Sequence, residues 1–101
     1  MTIDRTIGNY HDSSNTHIRK VGRATGPSSY TTGGDPLLPA DVGLGRVEVL
    51  LFEPFENGTV IIFGRYNVTG QVVKFYDLAG NEIAAATDLS LYSARFEAIG
   101  L

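Results

Sequence analysis

The chain has no cysteine, no tryptophan, one methionine and two histidines in 101 residues. Without cysteine there is no disulfide scaffold, no thiolate metal site and no cysteine nucleophile. No stretch approaches the ~18 consecutive apolar residues of a membrane-spanning helix. The opening MTIDRTIGNYHDSSNTH has no apolar run of signal-peptide length, so a soluble chain without an export or membrane signal is expected. Catalytic material is equally scarce. His11 and His17 stand in a polar stretch with Asp12 between them. That spacing can hold a metal, but two solvated histidines are the plainer reading. Gly33-Gly34-Asp35 lacks the lysine and the helix of a phosphate loop and reads as a sharp turn before Pro36. No nucleophile–base pair, metal cage or cofactor motif is present, so a non-enzymatic protein without a cofactor is expected.

What is present is unevenly distributed. From Arg46 onward, 24 of 56 residues are Val, Ile, Leu, Phe or Tyr, against 10 of the preceding 45. The net charge of −3 conceals +2 over residues 1–34 and −5 over residues 35–101. Core-forming material is concentrated in the second part, and the first has little to bury. Residues 1–29 are therefore expected to form an extended N-terminal arm. Residues 30–101 are expected to form a single β domain, with 30–45 as a turn-rich lead-in.

The arm carries sparse anchor points, Ile3, Ile7, Tyr10 and Ile18, and one basic cluster, Arg19, Lys20 and Arg23. With Tyr30 these are the candidate interface residues. Three cations beside an acidic domain make a poor nucleic-acid footprint; an acidic protein surface suits them better, and a solvated patch is the plainest reading.

The second part alternates like strands. In Arg46–Phe52, Val47, Val49 and Leu51 are expected to face the core, with Glu53-Pro54 ending the strand. Asn57-Gly58 marks a tight turn. Thr59–Asn67 and Gln71–Asp77 form a hairpin across Val68-Thr69-Gly70, with Gly64 marking a bulge or a close backbone approach. A last strand from about Tyr92 to Ile99 turns Tyr92, Ala94, Phe96 and Ala98 to one face. Pro39–Val42 and Glu82–Ala86 each suit a single helical turn. Asp35, Asp41, Asp77 and Asp88 sit where aspartate bonds local backbone N–H groups. The fold class expected is all-β: a small antiparallel β-sandwich or partly closed barrel.

Three segments resemble small virion structural proteins of tailed bacteriophages, of the head decoration or cement type. They are Tyr30–Gly45 (YTTGGDPLLPADVGLG), the hairpin YNVTGQVVKFYD and Ala84–Gly100 (AAATDLSLYSARFEAIG). The resemblance covers about 70 residues from Tyr30 onward. It implies a β domain, made in the host cytoplasm, that binds the outer surface of a capsid lattice and reinforces it. The partners implied are the major capsid protein and neighbouring copies of the chain, a trimer being favoured, with no nucleic acid and no membrane. Another virion component (tail, adaptor or head fibre) and a host-surface carbohydrate-binding module are the alternatives.

Overall fold

The computed structural model describes residues 1–11 and 18–101, with backbone only for residues 5–11. Eight strands are formed: β1 (Thr2–His11), β2 (Ile18–Thr25), β3 (Asp35–Pro36), β4 (Val47–Phe52), β5 (Phe55–Glu56), β6 (Ile61–Asn67), β7 (Val72–Tyr76) and β8 (Ser93–Gly100). They join in the order β1-β2-β8-β5-β6-β7-β3, and β4 pairs with β8 beside β5. All the pairings are antiparallel, and the sheet curls into a half-barrel. The fold is thus the expected all-β, partly closed barrel.

Turn chemistry sets the β6–β7 hairpin. The Asn67 carboxamide oxygen accepts the Gly70 N–H at 2.9 Å, and Gln71 takes a positive φ of 55°. This fixes Asn67 opposite Val72, Arg65 opposite Lys74 and Phe63 opposite Tyr76. Val73 and Phe75 then point inward, as their spacing predicts. Gly64 pairs regularly with Phe75, so it is a close approach and not a bulge. A Cβ there would lie 2.8 Å from the Phe55 ring.

Three of the four turn aspartates act as expected. Asp41 caps the 3₁₀ turn Pro39–Val42 by accepting the Leu38 N–H at 2.8 Å. Asp77 accepts from Ala79 and Asn81, and Asp88 from Ser90. Asp35 differs. It is buried, and its Oδ2 lies 2.9 Å from the amino nitrogen of Met1, with no other partner among the described residues. The stretch Glu82–Ala86 is not a helical turn: Glu82 bridges to Tyr76, and Ala86 has a positive φ of 65°.

Two further expectations are corrected. In β4, Val47 and Leu50 are buried, while Val49 and Leu51 are 40% and 63% exposed. The register against β8 slips between Val47 and Val49. The extra residue of this bulge reverses the alternation, so the odd positions beyond it face outward.

The stretch 1–29 does not stand apart from the domain as an arm. Strand β2 is an inner strand, paired with β1 on one side and along its whole length with β8 on the other, from Ile18–Gly100 to Thr25–Ser93. Among the described residues, Ala24 of this stretch is fully buried in the core, and Tyr30, Leu37, Val42 and Leu44 of the lead-in join it there. Composition failed to show this because small residues and a few well-placed aliphatic ones fill an interior bounded by backbone. The radius of gyration, 13.5 Å, matches the ~13 Å of a compact chain this long.

At the centre of the core stand Tyr30, Phe55 and Phe75. Phe75 meets both of the other rings edge to face, at 5.7 and 5.0 Å. Such pairs add about 0.5–1.5 kcal/mol beyond their area burial.

Candidate docking surface

Among the described residues, no group of three or more His, Asp or Glu side chains lies close enough to hold a metal, and no helix is long and apolar enough to cross a membrane. His11, Asp12 and His17, read from the sequence as a solvated stretch, lie outside the described side chains.

Among the described residues, the strongly perturbed titratable group is Tyr30, and its surroundings are structural. It is 1% exposed, donates its hydroxyl proton to Glu82 Oε2 at 2.7 Å and accepts the Phe75 N–H at 3.2 Å. Burial, then the bond to Glu82, pushes its pKa up to about 12. Glu82 also accepts the Gly33 N–H at 2.8 Å, and these bonds hold its carboxyl below the ordinary range. The cluster clasps the loop before β3 onto β7.

The expected interface residues do not assemble into one surface. Tyr30 is a core residue, and Ile3 and Ile18 are half-buried against that core, so all three are corrected to intramolecular packing. Ile7 and Tyr10 are placed on β1 by backbone alone, and their side chains lie outside the description. Arg19 pairs with Glu97 across strands, Nε to Oε1 at 3.1 Å. Lys20 is half-buried opposite Ala98, and Arg23 donates to Ser93 Oγ at 3.4 Å. Of the basic cluster, only Arg19 and Arg23 reach the outer face.

Two outward faces remain. The first is carried by β2, β8 and β4. On β4 the bulge displays Val49 and Leu51 beside Ile99 and Glu97 of β8, and Val21 lies across from Glu97 on β2. Arg19–Glu97 and Arg95 frame this apolar strip. A groove of about 330 Å³ runs over it, with Arg19, Val21, Leu51 and Glu97 in its walls. Water gains nothing by contact with Leu51, and apolar patches rimmed by charge mark interaction surfaces.

The second face is the outer side of the β6–β7 hairpin. It reads as three rungs: Phe63–Tyr76, Arg65–Lys74 and Asn67–Val72. Phe63 is 43% exposed. Sequence reasoning missed both surfaces. The bulge left no mark in the alternation. The hairpin rungs were implicit in the turn, because Asn67 opposite Val72 fixes every pairing before it.

No protein-family model, no curated protein and no solved structure matches the chain.

Proposed function

We propose that the protein is a non-enzymatic virion structural protein of the head-decoration type, which binds the outer surface of a phage capsid lattice and reinforces it. The observation that carries this reading is the strip Val49–Leu51, turned outward by a bulge in the strand paired with β8 and framed by the Arg19–Glu97 ion pair. Bulges re-aim side chains, and a re-aimed apolar pair on a sheet face suits docking to a large protein partner. The resemblance of Tyr30–Gly45, the hairpin and Ala84–Gly100 to phage decoration proteins supplies the partner: the major capsid protein, with neighbouring copies completing the contact.

Reinforcement then needs no chemistry. A ligand that binds only the assembled lattice stabilises it by mass action. Imaging of purified particles tests the assignment. Many copies distributed over the outer shell, with the β2–β8–β4 face against it, is the expected result. Confinement to a single neck or tail ring, or absence from the particle, contradicts it.

A further inference from the structure

Among the described residues, two pairs of like charges are set directly opposite each other on neighbouring strands: Arg23 facing Arg95, and Arg65 facing Lys74. Such a placement costs stability unless an anion answers it. The first pair is answered from within. Glu53 and Glu56 line the same groove, and Asp4 stands opposite Arg23 on β1.

The second pair is not. Its groove, about 440 Å³, is lined by Arg65, Tyr66, Asn67, Val68, Lys74 and Tyr76, with no carboxylate among them. Neither cation makes an ion pair within 4 Å among the described residues. Lys74 is near enough to Glu82 to help lower its pKa, but that carboxylate is already engaged by Tyr30 and Gly33. A chain of net charge −3 has thus left two adjacent cations without an acid partner in their own groove.

We propose that this groove binds an acidic saccharide, with the sugar carboxylate seated on the Arg65–Lys74 rung. The neighbouring rungs fit the rest of such a ligand. About 7 Å along the strands, Tyr76 lines the groove and its exposed cross-strand partner Phe63 adds aromatic surface for the apolar side of a sugar. On the other side Asn67 has its carboxamide oxygen engaged by Gly70, which leaves its NH₂ to donate to a hydroxyl. A single-stranded nucleic acid is a poorer match. It asks for cations that track successive phosphates, whereas one aromatic and one amide rung flank this single cationic rung. A volume of about 440 Å³ suits a small ligand. The groove shares no lining residue with the one over the β2–β8–β4 face, so it stands independently of the capsid reading.

The test uses the full chain and three probes: a galacturonate hexamer, its methyl ester and a single-stranded thymidine hexamer. The uronate is expected to shift the backbone amide resonances of residues 63–67 and 72–76. Its affinity should fall with salt and weaken roughly tenfold in each of Arg65→Ala and Lys74→Ala, as for a lost charge-assisted contact. Phe63→Ala should weaken it severalfold, and the ester should not bind. Shifts located elsewhere, no binding of the uronate, equal binding of the ester, or tighter binding of the oligonucleotide would each overturn the proposal. The mapping on the unaltered chain makes the result independent of how well any variant folds.

Discussion

Tyr30 ties distant parts of the chain together through one atom. Its hydroxyl is donor to Glu82 and acceptor from Phe75, and its ring is the edge-to-face partner of Phe75. The consequences for pH follow from the two shifted groups. Tyr30 in the folded chain holds its proton up to about pH 12, whereas the unfolded chain releases it near 10. The contribution of Tyr30 is therefore level below pH 10 and is lost between 10 and 12, amounting to about 3 kcal/mol. Glu82 acts in the opposite direction. Its depressed pKa gives a contribution present above the ordinary carboxylate range and lost as pH falls through the folded value. Tyr30→Phe should remove the alkaline loss and blunt the acid one, at a cost of about 1–3 kcal/mol near neutrality for the stranded partners. Urea unfolding across pH checks this; an unchanged alkaline limb in Tyr30→Phe would assign the effect to another group. The sequence placed Tyr30 among surface anchors, because nothing local distinguishes a tyrosine that caps a core from one that reaches a partner.

At the scale of elements, β4 and the β6–β7 hairpin differ in how much the sequence revealed. The hairpin was legible because its turn carries its own chemistry, in Asn67 and Gly70, and its inward residues Val73 and Phe75 alternate without interruption. Strand β8 was legible for the same reason, its Ala94, Phe96 and Ala98 all being buried. Strand β4 also alternates, but its facing is decided by the slip against β8, which is a property of two strands and not of one. The slip gives a discriminating test. Leu50→Ala should cost about 2–5 kcal/mol. Leu51→Ala should stay within about 0.5 kcal/mol of the unaltered chain. Thermal unfolding of the two variants measures the contrast, and the reverse order would mean that the bulge is absent. The two-residue strands β3 and β5 had no sequence signal, since Asp35-Pro36 and Phe55-Glu56 become strands only through their partners on β7, β6 and β8.

For the whole molecule, the composition shift at Arg46 proved a poor guide to where the domain begins. Strand β2 lies far from β8 in sequence and beside it in space, and small residues make that contact: Gly22 opposite Phe96, and Ala24 opposite Ala94. Removing residues 1–29 therefore bares one edge of β8 and takes Ala24 out of the core. The truncated chain is expected to lose its cooperative thermal transition and its dispersed amide spectrum. A truncation that begins at Ile18 keeps the β2–β8 ladder and should stay folded. Folding of the chain lacking residues 1–29 would show that the N-terminal strands are an attachment after all.

The account rests most heavily on the outward strip of β4 as the surface that meets a capsid. Its most direct test is the occupancy of undecorated capsid shells by the unaltered chain and by Val49→Asp/Leu51→Asp, both first shown to unfold at similar temperature. Saturable binding of the unaltered chain, lost in the double variant and retained in Arg65→Ala/Lys74→Ala, is the result expected. Equal occupancy by the unaltered chain and the double variant, or no binding by the unaltered chain, would contradict it.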